Sequence, residues 1–293
     1  MNEVDSAKIA RANHAMLRAL RRDLDGRGFC ELITGVLQDG EKRECMELYL
    51  RSALSGGMGA VYEIGSCFRG DDADSTHLPE FQMLELFWDR SSFEDLIGLT
   101  KDILTVAFGR DVEAFEVVDL AEHLPLRYSG FEYGRGSTSL RAWAKKYIEP
   151  TKFENCRYDY EIYNILIDQF ITELRPGSVV RPAMVMNYPM ETICLAKPCD
   201  DHPDRIQRAE FFVQGLEIGH GFVDDMNAAR VEGRMRANGS ENFDAHFLRL
   251  LRSGRLPDSS GVGFGLDRLL MVWLGIDDIR DLSWNWRNGC RRQ

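Results

Sequence analysis

No stretch of this 293-residue chain approaches the roughly 20 consecutive apolar residues that a membrane helix needs. The opening residues, MNEVDSAKIARANHAML, lack the apolar core of a secretory signal. A cytoplasmic protein without membrane contact is therefore expected. Cysteine pairs at metal-ligand spacing are also missing. Cys30, Cys45, Cys67, Cys156, Cys194, Cys199 and Cys290 are odd in number and scattered, with no CxxC. That argues against a disulfide framework and a zinc site, and for reduced thiols. No glycine-rich loop runs into Lys-Ser/Thr and no GxGxxG follows a strand, so the common phosphate-binding fingerprints are absent. Basic charge is in deficit: 36 Lys and Arg face 47 Asp and Glu, a net of −11. A chain that grips nucleic acid along its length is more often basic. Global charge therefore permits tRNA as a partner without favouring it. There is no internal repeat, and 44% hydrophobic with 28% charged residues is the balance of an ordinary globular chain with a sizeable core.

What is present reads as alternating helices and strands. Ile9, Met16, Leu17, Leu20 and Leu24 recur at helical spacing over residues 6–24. GRGFCELI (26–33) reads as a turn into a strand, and residues 45–54 as a helix that the glycines at 56, 57 and 59 end. Residues 61–69 and 80–88 form an expected antiparallel pair around the polar loop GDDADSTHL. A helix is expected over 93–108. From 109 to 180 the pattern is irregular, with helices expected only at 138–147 and 158–174. AMVMNY after Pro182 and AEFFVQGLEIGHGF read as further strands, residues 225–253 as helix, and GVGFG as a strand running into the helix LDRLLMVWLG. The sum is an α+β fold, an antiparallel sheet flanked by helices, in one domain over 1–293 with a helical insertion at about 109–180.

Three segments carry candidate chemistry: FRGDDADSTHLPEFQMLELF (68–87), AEFFVQGLEIGHGF (209–222) and GVGFGLDRLLM (261–271). Taken singly, Arg69 is an ordinary salt-bridge partner, Glu210 and Glu217 are strand charges, and GVGFG is a glycine-rich strand end. Together they contain the parts for sending a carboxylate in line at the α-phosphate of ATP, a reaction governed by positioning and charge neutralisation. One arginine can bridge the attacking carboxylate and the phosphate through its planar fork, and a second can hold the distal phosphates. A carboxylate pair can hold Mg²⁺, which keeps few protein ligands and several waters. Glycines admit a flat base and an aromatic ring can stack on it. Arg69, Arg268, Glu210, Glu217, Gly263, Gly265 and Phe81 fit those parts.

The arrangement resembles the catalytic core of class II aminoacyl-tRNA synthetases. It is most similar to the lysyl-tRNA synthetase branch and its shortened paralogs that attach β-lysine to elongation factor P. The resemblance runs from about residue 6 to 285. FRGDD…HLPEFQMLEL resembles the family's second signature, and GVGFGLDRLLM with the following IRDL resembles the third. It implies ATP and Mg²⁺ as cofactors and a homodimer. Arg69 would contact the α-phosphate and the amino-acid carboxylate. Asp71 stands where the family carries a glutamate near the adenine amino group. His77 would lie near the terminal phosphates, Phe81 would stack on adenine, and Arg268 would cover its other face and reach the γ-phosphate. Glu210 and Glu217 would bind Mg²⁺. Glu47 matches the glutamate that holds the substrate α-amine, and Glu85 and Asp224 match carboxylates near the substrate side chain. Phe87, His220 and Phe222 complete the expected amino-acid pocket.

Several positions depart from the pattern. Phe87 stands for a tyrosine, His220 for an asparagine, Asp224 for a glutamate and Cys194 for a serine-like residue. Gly35 replaces the proline of the first, dimer-forming signature. The N-terminal anticodon-binding barrel of lysyl-tRNA synthetases has no counterpart in this sequence. The expected function is amino-acid activation as an adenylate, lysine or another diamino acid favoured. Transfer would be to a non-tRNA acceptor such as a lysine of elongation factor P. A biosynthetic ligase serving a small molecule or carrier protein, a shortened enzyme acylating tRNA, and a non-catalytic paralog stand as alternatives.

Overall fold

The computed structural model describes residues 6–38, 40–70, 73–112, 114–134, 136–174, 182–239 and 245–282. In chain order the elements are α1 (Ser6–Gly26), β1 (Cys30–Glu31), β2 (Leu37–Gln38), β3 (Glu41–Lys42), α2 (Glu47–Ser55), β4 (Ala60–Phe68), β5 (Glu80–Asp89) and α3 (Phe93–Phe108). Then come β6 (Glu116–Asp119), α4 (Leu120–Arg127), α5 (Ser137–Ala144), α6 (Pro150–Asn155), α7 (Asp159–Leu174) and β7 (Ala183–Pro189). The last are β8 (Arg205–Val213), β9 (Leu216–Val223), α8 (Ala228–Ala237), α9 (Ala245–Arg252), β10 (Ser259–Gly265) and α10 (Leu266–Leu274).

One sheet of eight strands, ordered β1-β4-β5-β10-β9-β8-β7-β6, organises the fold. Its six inner strands are antiparallel, as the alternating patterns require. Both edges correct the all-antiparallel expectation: β1 runs parallel to β4 and β6 parallel to β7. Edge strands of two and four residues are too short to show a periodicity. The long helix expected over 225–253 is two helices, α8 and α9. In the irregular region β6, α4 and α6 escape a periodicity reading, because Pro125 sits inside α4 and α6 is only six residues long.

Alternation along the strands builds a core on each face of the sheet. Leu84 and Leu86 of β5, Val262 and Phe264 of β10, and Phe211 of β8 pack with Leu20 and Leu24 of α1 and Ile103 and Leu104 of α3. Met83, Phe87 and Phe222 face the other way, toward Leu50 and Leu54 of α2 and Phe247 of α9. Helix α3 starts at a reciprocal cap, Ser92 with Asp95, and stops at Gly109 in the left-handed region at φ 61°. Among the described residues no helix is long and apolar enough to cross a membrane.

Candidate active site

The second face of the sheet carries a cleft, and strand pairing fixes its order. One row of neighbours runs Glu63, Glu85, Gly263, His220, Glu210 across β4, β5, β10, β9 and β8. The next runs Val61, Phe87, Gly261, Phe222, Arg208. Residues from five strands thus converge although up to 200 positions of chain separate them. A bulge in β9 completes the row. Phe211 pairs with Gly219 and Phe212 with Glu217, leaving Ile218 unpaired. Ile218 joins the α1–α3 core, and the extra residue lets Glu217 and His220, three apart, face the same cleft.

The open end of the cleft is a cavity of about 280 Å³. Arg69, His77, Phe81, Glu210, Glu217, His220, Gly263, Gly265 and Arg268 all line it. The Arg69 guanidinium lies 5.1 Å from the Phe81 ring centre, within cation–π range. Across the cavity, Arg268 donates through Nε to the Thr76 carbonyl at 3.2 Å and through Nη1 to the Glu217 carbonyl at 2.9 Å. Nη1 is also 3.5 Å from the Glu217 carboxylate. The loop before β5 is shaped by Asp74, whose Oδ1 accepts the Thr76 and His77 N–H groups at 2.6 and 2.7 Å. Its carboxylate also holds the His77 ring at 3.0 Å. Asp71 lies outside the described residues.

Two side chains of this end carry no sequence signal. Arg208, at 2.5 Å from Glu210 and over the Tyr188 ring at 4.4 Å, supplies a third arginine. Asp267 accepts the Gln82 N–H at 2.7 Å, which fastens the start of α10 to β5 and so fixes Arg268 relative to Phe81. Burial pushes Glu217 up, but His220, Arg268 and Arg208 outweigh it and pull the carboxyl down to about 2. Burial pushes His220 down and Glu217 more than reverses this, leaving the ring above its ordinary value. Glu210 and Glu217 place two acidic side chains in one cavity, a donor set suited to a hard cation that takes its other ligands from phosphate and water. Among the described residues no cluster of three or more His, Cys, Asp or Glu could hold a metal by itself.

The other end is nearly filled. Glu47, Glu85, Phe87, His220, Phe222 and Gly261 border a cavity of about 10 Å³, room for a single water. A Cβ on Gly261 would strike the Phe87 ring, and one on Gly263 would meet Met83 at 3.1 Å. These glycines let side chains of β5 lie flat on β10. At Gly265 the nearest such contact is an ordinary 3.7 Å. Glu85 is 2% exposed, and its Oε2 accepts the Met46 N–H at 2.8 Å. Burial and then the neighbouring Glu47 carboxylate push Glu85 up to about 8. Burial raises Glu47 too, but Arg51 overrides it and leaves that carboxyl below its ordinary value.

Asp224 is set behind this wall rather than on it. Its Oδ1 accepts from Arg51 Nε at 2.9 Å and Nη2 at 2.8 Å, and its Oδ2 from the Ser259 hydroxyl at 2.6 Å. Arg51, 1% exposed, also donates through Nη1 to Glu47 at 2.8 Å. Its guanidinium carbon is 4.3 Å from the Phe87 ring centre and 5.4 Å from those of Phe222 and Phe247. The Cys194 thiol accepts from Asn238 at 3.4 Å, away from both cavities. Sequence reading passes over Arg51. Its place four residues after Glu47, one turn along α2, is the signal that was available.

An α+β sheet thus gathers three arginines, Glu210, Glu217 and a glycine-lined wall around one cleft. Comparison with known sequences specifies it. Residues 41–284 match the family described as tRNA synthetases class II (D, K and N), and the chain belongs to that family. It is 26% identical to the lysine–tRNA ligase of Saccharolobus solfataricus over 92% of this chain and 62% of that protein. It is 30% identical to that of Deinococcus radiodurans over 92% of this chain and 59% of the relative. It is 26% identical to that of Cronobacter sakazakii over 95% and 63% respectively. The chain spans about three-fifths of the length of these relatives.

Proposed function

We propose that this chain activates a lysine-like or other diamino acid with ATP and passes the acyl group to an acceptor other than tRNA, such as a lysine of a protein like elongation factor P. The observation that carries the activation is the 280 Å³ cavity lined together by Arg69, Arg268, Glu210 and Glu217. The amino-acid carboxylate attacks the α-phosphorus, forming a carboxyl–phosphate bond, and the bond to the β-phosphate breaks to release pyrophosphate. Arg69 bridges nucleophile and α-phosphate. Arg268 leaves Thr76 and Glu217 to hold the γ-phosphate, with His77 on the same loop. Adenine lies on Phe81 between Gly263, Gly265 and the Arg268 stem. Glu210 and Glu217 would hold Mg²⁺, which would supply charge neutralisation for the leaving pyrophosphate. Glu47 takes the α-ammonium, while Glu85, with Phe87, His220 and Phe222 around it, meets the side chain. Asp224 acts on that side through Arg51.

The net charge of −11 supports the non-tRNA acceptor. A biosynthetic small-molecule or carrier-protein acceptor fits the same charge. The printed names of the relatives, all lysine–tRNA ligases, favour tRNA as the competing acceptor. Exposed Ile33, Val36 and Leu37 beside Gly35 support a homodimer, and the family site as a whole supports catalysis over a purely regulatory role. Amino-acid-dependent exchange of pyrophosphate into ATP tests the reading. Exchange with at least one diamino acid, lost in Arg69→Ala, is expected. ATP binding without exchange for any amino acid, acceptors included, would overturn it.

A further inference from the structure

Three carboxylates, Glu47, Glu85 and Asp224, surround the amino-acid end of the cleft, and Arg51 is the cation set among them. Every nitrogen of the Arg51 guanidinium already donates: Nε and Nη2 to Asp224, Nη1 to Glu47. The group is therefore not waiting for a substrate carboxylate. It is held flat against Phe87 and flanked by Phe222 and Phe247, with both oxygens of Asp224 satisfied behind it. A guanidinium so clamped, paired and buried acts as a wall. A long side chain reaching for Asp224 would have to displace it and leave buried charges unpaired.

In front of that wall two acceptors are open. No hydrogen bond among the described residues reaches Oε1 of Glu47 or Oε1 of Glu85. Arg51 cancels one of the three carboxylates, so beside the space of about 10 Å³ the pocket carries two negative charges once an arriving cation takes Glu85 out of its protonated form. Two ammonium groups close together answer that pattern, and one does not. The elevated Glu85 carboxyl agrees, since it holds its proton only while no cation stands near it.

We propose that the amino acid activated here is a diamino acid with a shorter side chain than lysine, and that Arg51 is the residue that sets this length. The inference rests on the activation reading above. The α-ammonium sits at Glu47 and the second ammonium at Glu85, with the Arg51–Phe87 stack closing the pocket beyond. Phe87 has no hydroxyl to give, which removes one reason for a chain to extend further.

The test uses stable sulfamoyl mimics of the adenylate carrying alanyl, diaminopropionyl, diaminobutyryl, ornithyl and lysyl groups, titrated into the full chain by calorimetry. Diaminopropionyl or diaminobutyryl is expected to bind best, with lysyl weaker by about tenfold or more, the usual discrimination of a closed pocket against extra methylenes. Replacing the pair together, Arg51→Met with Asp224→Asn, is expected to shift the optimum toward the longer chains. Lysyl binding as tightly as the short analogues overturns the length assignment in the unaltered protein, whatever the variant does. Alanyl binding as tightly as diaminopropionyl overturns the need for a second ammonium. Binding of none of the five would overturn the activation reading itself and this inference with it.

Discussion

The two ends of the cleft are built on the same strands and treat charge in opposite ways. At the open end, charged groups face a cavity of about 280 Å³, and the Arg69 guanidinium lies over the Phe81 ring. At the closed end each guanidinium nitrogen of Arg51 donates to a carboxylate, one carboxyl is pushed up to about 8, and the cavity shrinks to about 10 Å³. Under the proposed function the open end would take the highly charged nucleotide and the closed end the small amino acid, whose arrival would replace charges that now hold one another in place. Chemistry would then depend on the first region and selectivity on the second.

Substitutions that separate the ends sharpen this contrast. The largest effect is expected for Arg51→Ala, which strands Asp224 and Glu47 without a cation behind three aromatic rings. Breaking a buried pair from one side costs roughly 3–5 kcal/mol, so denaturant unfolding should shift by that order. A shift within about 0.5 kcal/mol, the scale of a neutral surface change, would mean the closed end is not held by this pair. Next, Arg69→Ala should lower pyrophosphate exchange by about 10²–10³-fold, the usual loss of a group that serves the transition state, with unfolding unchanged. Loss of stability and activity together would blur the division between the ends.

Glu85 offers a pH test. In the unfolded chain its proton leaves near the ordinary value of 4.5, while in the fold burial and Glu47 hold it to about 8. Between those values the folded state binds the extra proton. Its contribution to stability is present below the lower value and is lost as pH rises through the upper one, at about 1.4 kcal/mol per unit. Glu47, Arg51 and His220 are the charged groups around it. Glu85→Gln should flatten the stability curve over this window, and an unchanged slope would relocate the titration. The smallest effect is expected at Gly261, where an alanine must push the Phe87 ring off the sheet. A cost of about 1–3 kcal/mol is usual for overpacking. It should weaken amino-acid binding more than ATP binding.

Much of the open end was legible in the sequence because its parts lie in three continuous segments, each with a local pattern: Arg69 to Phe81 around a loop, Glu210 to His220 across a hairpin, and Gly263 to Arg268 at a strand–helix junction. The inner strands and α3 followed for the same reason. The closed end was legible only in its list of residues. That Asp224 is held by Arg51, 173 positions away, is a tertiary fact with no local trace. So is the tie between Asp267 and Gln82, whereas Arg208 stands two residues before Glu210 on one face of β8, a local relation. The bulge at Ile218 hides inside an apolar alternation that looks regular, and the parallel edges β1 and β6 are too brief for a period to show.

Attack of an amino-acid carboxylate on the α-phosphorus of ATP is the central claim, and the fate of the carboxylate oxygen tests it most directly. A short diamino acid with its carboxylate enriched in a heavy oxygen isotope would be incubated with ATP and the protein, and the nucleotide and phosphate products read by mass spectrometry. Label in AMP, with pyrophosphate unlabelled and the signal lost in Arg69→Ala, is the expected result. Label in inorganic phosphate, with ADP as the nucleotide product, would place the attack at the γ-phosphate and contradict the assignment of Arg69, Arg268 and the carboxylate pair.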